Sequence, residues 1–413
     1  MTADFQMLGR LELSQLRRAH EELLLAHQRL LVETARTELT VRCAATVSLN
    51  AMARRVLLHI GTMKSATTYL QGLCSANAQR LAEQGLLWPS EELPFLAAVD
   101  LVGRDTERPG HQGAWVELVQ SFRQHHGDAV WSNELIAPLG PGKIKRLVRG
   151  MEPAEVEVVL TARDLGRVIP SHWQTTLKNG STTTWSDFAA AVCAEPAHDG
   201  NVPRSKDIGS WFWRRHDLAA ILSRWQQFVP AERMTVVTVP PPGNGPEIVG
   251  GRFASVIGVD ASRFEQPAYD NSSVGTYSAE LLRRLNVVAP HLQRHHYRWG
   301  IRDALARLAL IGRAEQEPSF GLTQPQQDWA CARADRMIEQ IRASPVRIVG
   351  DLADLRPARE ARTDTFEPAD TSDADLLETA LVGLGEMAKI VADLRAEQER
   401  QRHAVDSETS ALP

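Results

Sequence analysis

The stretch VLLHIGTMKSATT, residues 56–68, is the most informative part of the chain. Val56–Ile60 is a short apolar run typical of a buried strand, and apolar residues recur at helical spacing from Thr67 to Gln84. A loop that joins a strand to a helix presents free main-chain N–H groups, and the helix dipole adds positive potential there. With the ammonium group of Lys64 and the hydroxyl groups of Thr67 and Thr68, this stretch predicts a binding site for a phosphate or sulfate group.

Short apolar runs alternate with helical patterns over the following part of the chain. We predict strands at residues 86–89, 129–132, 156–162 and 234–239, with helices between them. The run 156–162 is rich in β-branched residues and is expected to be a central parallel strand. The alternation predicts an α/β fold: a P-loop-type parallel sheet flanked by helices, with helical N- and C-terminal extensions.

The chain divides into three predicted parts. Residues 1–52 form a helical extension, residues 53–350 the main domain, and residues 351–413 a polar linker followed by a C-terminal helix at 376–401. Further helices are predicted at 278–288 and 325–341. Met52 stands directly before the first strand and is an alternative start of the native protein, which would make the first extension an over-extended reading of the gene.

A second motif follows the central strand about a hundred residues after the first. It reads RDLGRVIPS, residues 163–171, and places Arg163 at the strand end with Ser171 eight residues later, near the start of the next helix. A guanidinium group can hold a phosphate through two parallel N–H bonds, and a serine hydroxyl can add a third. Alone this pattern is weak, but its position after the first loop strengthens it.

In this order and on these elements, the two motifs resemble those of bacterial, P-loop-type sulfotransferases, which use 3′-phosphoadenosine 5′-phosphosulfate (PAPS). The resemblance covers roughly residues 55–286. It implies transfer of a sulfuryl group from PAPS to a hydroxyl or amine of a sugar, lipid or small metabolite. It also implies that the first loop holds the 5′-phosphosulfate and that the second motif holds the 3′-phosphate. The cofactor-binding residues implied are Gly61, Thr62, Lys64, Ser65, Ala66, Thr67, Thr68, Arg163 and Ser171.

The first loop departs from this family at one position. Ala66 stands before the paired threonines, where the family often has glycine. A methyl group is tolerated there if the backbone is right-handed.

Sulfuryl transfer requires in-line geometry, a base for the acceptor and a cation for the leaving phosphate. Lys64 is the expected cation. Glu134 follows the strand 129–132 and is the expected base, as the resemblance to several sulfotransferases implies. His59 and His172 are alternative bases, because many relatives use histidine; His59 alternates with buried strand residues, which favours a core position.

Two other classes of protein stay open. A P-loop kinase or nucleotide triphosphatase would need an acid for Mg²⁺, and Asp164 is the acid beside a predicted strand end. However, Lys64 lies three residues after Gly61, whereas the triphosphatase loop has four residues between its glycines before the lysine. The other class is a non-catalytic binding protein that keeps this fold for contacts through its terminal helices.

Composition and charge narrow the classes of partner that we expect for this protein. The net charge of −5 argues against a general nucleic-acid-binding protein. No apolar run is long enough to span a membrane, the N-terminus lacks the features of a secretory signal, and the four cysteines are scattered without metal-ligand spacing. We therefore predict a cytoplasmic protein without a metal site that acts on a small-molecule, sugar or lipid acceptor and could form a homodimer through its terminal helices.

Overall fold

The computed structural model describes residues 53–90, 92–103, 111–194, 207–267, 273–290, 292 and 296–410. The N-terminal helical extension and the alternative start at Met52 lie outside the described residues.

The described residues contain a six-stranded sheet in which all neighbouring strands are parallel, in the order β2-β3-β1-β4-β5-β6. This confirms the predicted α/β class with helices around a parallel sheet. The order reverses at β1, so the crevice for ligands in such a sheet is expected at the carboxyl ends of β1 and its neighbours. The strands are β1 (Arg55–His59), β2 (Leu86–Leu87), β3 (Asp128–Ser132), β4 (Glu155–Ala162), β5 (Met234–Thr238) and β6 (Arg347–Val349).

Helices connect the strands and continue after the last of them. They are α1 (Thr67–Ala76), α2 (Ala78–Glu83), α3 (Glu92–Val102), α4 (Ala114–Arg123), α5 (Pro141–Gly150), α6 (Leu165–Leu177), α7 (Trp185–Cys193), α8 (Ile208–His216), α9 (Leu218–Gln226), α10 (Pro246–Ile257), α11 (Thr276–Val288), α12 (Gln324–Arg342) and α13 (Asp373–Ser410). A π-helix spans Tyr297–Ala309. Within the described part of the chain, none of these helices combines the length and apolar character that a membrane span requires.

The central strands are buried on both faces, which explains why their sequences are continuous apolar runs. Successive side chains of a strand point to opposite faces. Leu58 accordingly joins the core on one side of the sheet, while Leu57 joins the core on the other side. The same alternation places Val158 and Val159 of β4 on opposite sides.

Three local features differ from the sequence prediction. The single helix expected over residues 67–84 is broken at Asn77, whose buried side chain bonds the main chain of Leu73 and Glu265 instead of continuing the helix. The region after residue 275 also contains β6 and the π-helix, which were not predicted. The segment 351–372, predicted as a linker, packs on the body: Asp354 accepts hydrogen bonds from Thr238 (2.7 Å) and Arg252 (2.6 Å).

Candidate active site

The loop after β1 has an unusual backbone. Gly61, Lys64 and Ala66 all have positive φ, at 43°, 68° and 66°. Ala66 therefore lacks the right-handed backbone that would accommodate its methyl group without strain. A left-handed conformation costs a residue with a β-carbon roughly 1–2 kcal/mol, and such strain tends to be kept at functional sites. At Gly61 even a methyl group would be too close, since its carbon would lie 2.7 Å from Thr67 Oγ1.

Helix α1 begins directly after this loop without a side-chain cap. Its first N–H groups are therefore left for an acceptor outside the helix. The hydroxyl of Thr67 is buried and has no hydrogen-bond partner among the described residues, whereas Thr68 is exposed. A buried hydroxyl without a partner is costly, and beside an uncapped helix start it fits an anion bound in the loop.

A series of side-chain hydrogen bonds connects the loop to strands β1, β3 and β4. The Ser65 hydroxyl donates to the carbonyl of Thr62 at 2.6 Å, so its contact with Thr161 Oγ1 at 2.8 Å is donated by Thr161. Thr161 Oγ1 then accepts from His59 Nε2–H at 3.1 Å, and His59 Nδ1 accepts from the Ser132 hydroxyl at 2.8 Å. This assignment of the protons follows from the bonding pattern alone.

His59 is fully buried in this chain of bonds, and burial lowers its pKa to about 3. The ring is therefore neutral at physiological pH, and both of its nitrogens have protein partners. The geometry favours a role in holding the loop over direct contact with an acceptor. Sequence reasoning missed Thr161; the signal for it was a hydroxyl near the end of an otherwise apolar strand.

Three charged residues follow the ends of three adjacent strands at one edge of the sheet. Lys64 follows β1, Glu134 follows β3 and Arg163 follows β4. The Arg163 guanidinium donates to the carbonyl of Lys64 at 3.4 Å. The expected pair of base and cation is thus brought together with the arginine of the second motif.

The pKa values of this group reflect both burial and mutual charge. Burial raises the pKa of Glu134, and the nearby Lys64 ammonium opposes the rise. Burial lowers the pKa of Lys64, with Glu134 opposing and Arg163 adding to the effect. A carboxylate with a raised pKa beside a cation is suited to accept a proton near neutral pH.

The second motif is arranged differently from the expectation. Helix α6 already begins at Leu165, with Asp164 as its cap, so Ser171 is its seventh residue and not near its start. By helix geometry Ser171 lies about 9 Å along the axis from Leu165. Arg163 contacts the loop through the carbonyl of Lys64. Ser171 lies farther along α6 and is partly exposed.

His172 lies next to Ser171 and is fully buried. Its Nδ1 is 2.8 Å from Nε2 of His216, and its own Nε2 has no hydrogen-bond partner in the part of the chain that the structure describes. Burial, Arg215 and Lys64 lower the pKa of His172 to about 3.

The tryptophans around residues 173–225 belong mostly to the core. Trp173, Trp185, Trp213 and Trp225 are at most 4% exposed. Trp211 is the exception at 37%, with Arg215 stacked 3.8 Å from its ring centre and His172 against its edge.

No family model matches the chain, and no curated protein matches it. Among solved structures, a crystal structure of a sulfotransferase from Alicyclobacillus acidocaldarius matches 61% of this chain and 96% of its own, with 15% sequence identity and a TM-score of 0.36.

Proposed function

We propose that the protein is a PAPS-dependent sulfotransferase that transfers a sulfuryl group to a hydroxyl or amine of a small-molecule, sugar or lipid acceptor. The observation that carries this proposal is the loop after β1. Its left-handed residues Lys64 and Ala66 lead into an uncapped helix whose first side chain, Thr67, has a buried and unpartnered hydroxyl.

The residues present fit the 5′-phosphosulfate of PAPS. Gly61 lets the loop pack closely against the Thr67 hydroxyl, and the start of α1 supplies N–H groups and positive potential. Thr67 supplies the hydroxyl, and Lys64 supplies the charge. Arg163, at the adjacent strand end, is the residue we assign to the 3′-phosphate, with Ser171 as its partner on α6.

When bound, PAPS supplies the sulfuryl group. Glu134 would take the proton of the acceptor hydroxyl during transfer of the sulfuryl group. The Lys64 ammonium would stabilise the negative charge on the leaving phosphate. His59 and Ser65 contribute by holding the loop, since their polar atoms already bond to Ser132, Thr161 and Thr62.

A kinase or nucleotide triphosphatase is less well supported by the same residues. The acid it would use for Mg²⁺, Asp164, accepts a hydrogen bond from Arg167 N at 3.0 Å as the cap of α6 and pairs with the Arg167 guanidinium. The Asp164 carboxylate is thus already bonded to Arg167 at the start of α6.

Nucleotide preference tests the proposal. Calorimetry should show that 3′-phosphoadenosine 5′-phosphate (PAP) binds roughly 30- to 150-fold more tightly than AMP, since losing a bidentate charged contact costs on the order of 2–3 kcal/mol. The matched variant Arg163→Gln should lose most of that difference. Equal affinities for PAP and AMP would remove the assignment of the second motif, and a preference for ATP with Mg²⁺ would favour the kinase.

A further inference from the structure

Helix α13 carries apolar side chains on two different faces. The first face is turned towards other elements of the protein. Leu376 and Thr379 are buried, and a β-carbon added at Gly383 would lie 3.0 Å from the side chain of Leu305 in the π-helix. These positions recur at steps of three and four residues, as expected of one side of a helix. The first face therefore accounts for the packing of α13 on the π-helix.

The second face is turned to solvent. Its apolar residues also alternate at steps of three and four, which is the spacing of a seam that packs on another helix. Leu377, Leu381 and Leu384 are 60%, 59% and 65% exposed, and Val391 is 48% exposed. The residues of this face, which we call the outer seam, are all exposed: Ala374, Leu377, Leu381, Leu384, Ala388 and Val391. In the part of the chain that the structure describes, nothing covers the outer seam.

The length and regularity of the outer seam distinguish it from ordinary surface leucines. Single exposed apolar side chains are normal, whereas a continuous apolar stripe marks an interaction surface. From Ala374 to Val391 the seam runs about 25 Å along the helix axis. Its average repeat of 3.5 residues is the repeat by which two helices pack along each other, so the seam predicts a helical partner.

The charges of α13 argue against a lipid surface as the partner. Amphipathic helices that bind anionic membranes are rich in lysine and arginine on their polar face. Between residues 373 and 395, α13 has five acidic and two basic side chains. The acids are Asp373, Asp375, Glu378, Glu386 and Asp393, and the bases are Lys389 and Arg395. This excess of negative charge favours a protein partner.

The outer seam is complementary to itself when two copies run antiparallel. In this arrangement Leu381 lies opposite Leu384 of the second copy. The same register places Leu377 opposite Ala388 of that copy, so that a large side chain meets a small one. In a parallel pair, residues of the same number meet, and Ala388 against Ala388 would leave a gap that costs packing energy.

The charges at the two ends of the outer seam favour the same orientation. Helix α13 begins with Asp373 and Asp375, and Arg395 continues the spacing of the seam four residues after Val391. An antiparallel pair brings Arg395 of each copy towards the acidic start of the other helix. A parallel pair would set Arg395 against Arg395, which is unfavourable.

We propose that α13 joins two copies of the chain into an antiparallel dimer through the outer seam. The two copies are related by a two-fold axis, so each contributes the same residues to the interface. Pairing removes the seam from water, which is the main driving force for such an association. The proposal does not depend on the proposed function, and it assigns a surface and an orientation to the homodimer expected from the sequence.

Sedimentation velocity of the full chain tests the dimer. At micromolar concentrations we expect the mass of two chains. Leu381→Glu should weaken the association at least roughly tenfold, because a charge in the middle of the seam loses its hydration when the copies pair. Val116→Glu is the matched control: Val116 is 55% exposed on α4, outside the outer seam, and its replacement should leave the dimer intact. Circular dichroism confirms that both variants are folded.

Disulfide cross-linking tests the orientation. Leu377 and Ala388 lie about 16 Å apart along α13, too far to form a disulfide within one chain. In the antiparallel dimer they face each other, so Leu377→Cys/Ala388→Cys should form a covalent dimer on oxidation. Each single variant should not, because two copies of the same residue are then about 16 Å apart. The wild type, whose four cysteines lie outside α13, gives the background.

Three results would overturn the proposal. The first is a wild type with the mass of one chain at every concentration; binding of that single chain to phosphatidylcholine vesicles would then identify a lipid surface as the partner. The second is a dimer that Leu381→Glu leaves as stable as Val116→Glu does, which would place the interface elsewhere. The third is cross-linking of each single cysteine variant above the wild-type background, which would show that the two helices are parallel.

Discussion

Two helices begin at the same edge of the sheet, each directly after one of two adjacent parallel strands, and they begin in opposite ways. Helix α6 follows β4 through Asp164, which has an extended backbone and accepts a hydrogen bond from Arg167 N in its first turn. Helix α1 follows β1 through Ala66, which has a left-handed backbone and makes no side-chain cap. At the start of α6 a main-chain N–H group is satisfied by a side-chain cap. The start of α1 has no such cap.

Other helices of the chain show that a side-chain cap is the usual arrangement where a polar residue precedes the helix. Thr184, Asp207 and Asp217 cap α7, α8 and α9 in the same manner as Asp164 caps α6. Some helices begin at glycine without such a cap, so its absence alone identifies no site. What distinguishes α1 is the combination of strain, an unpartnered Thr67 hydroxyl and a nearby cation.

The largest expected effect is on turnover and comes from replacing Glu134, the proposed base. Glu134→Gln keeps the shape of the side chain but cannot accept a proton, so turnover should fall roughly 10²–10⁴-fold with little change in PAP affinity. The control Glu157→Gln makes the same change near the beginning of β4, where Glu157 pairs with Arg55, and should leave turnover intact. A fully active Glu134→Gln beside an inactive His172→Asn would transfer the role of base to His172.

The same variant has a stability signature with a defined sign. Because the pKa of Glu134 is raised in the folded protein, the unfolded chain ionises first as pH rises above about 4.5. Ionisation of Glu134 therefore destabilises the fold above that pH. Glu134→Gln should be more resistant to denaturant than the wild type at pH 8, and the difference should vanish near pH 4.

The comparison of the two helix starts is tested next by removing one cation from each. Lys64→Ala should reduce turnover roughly 10²–10³-fold, the typical effect of losing a group that stabilises developing charge, and should reduce PAP affinity less. Arg167→Ala removes the cation in the first turn of α6, which pairs with Asp164, and should affect stability but not turnover. Equal losses of turnover in Lys64→Ala and Arg167→Ala would show that the two helix starts do not differ in their contribution to turnover.

A smaller effect on stability should have opposite signs at the two helix starts. Asp164→Ala removes a cap and should destabilise the protein by about 1–2 kcal/mol in denaturant unfolding. Thr67→Val removes a buried hydroxyl that has no partner and should stabilise the free protein by up to about 1 kcal/mol while weakening PAP binding. Destabilisation by Thr67→Val would indicate that its hydroxyl is already satisfied in the free protein.

The smallest expected effect concerns backbone strain. Ala66→Gly relieves a left-handed alanine and should stabilise the protein by about 1 kcal/mol. Ala190→Gly, at an exposed interior position of α7, is the matched control and should destabilise it by about 0.5–1 kcal/mol. Denaturant unfolding of both variants measures the two signs, and a destabilising Ala66→Gly would contradict the strain assigned to the loop.

Much of the fold follows from local patterns in the sequence. The runs that became β1, β4 and β5 are apolar and β-branched over the length of a strand, and the residues between them keep helical spacing, so the parallel sheet could be predicted without contacts. The loop at Gly61–Thr68 could be predicted as a candidate anion site because strand, loop and helix are contiguous and the N–H groups they expose are local.

Tertiary contacts decided the rest. Asn77 breaks a helix because its side chain meets the main chain of Glu265, nearly two hundred residues away. The backbone at Ala66 is left-handed in a loop held by a bonded chain through His59 and Thr161, which spans separate strands. Spacing along a sequence indicates which local structure neighbouring residues form. Burial and contacts across the fold determine the charge and the backbone strain at a site.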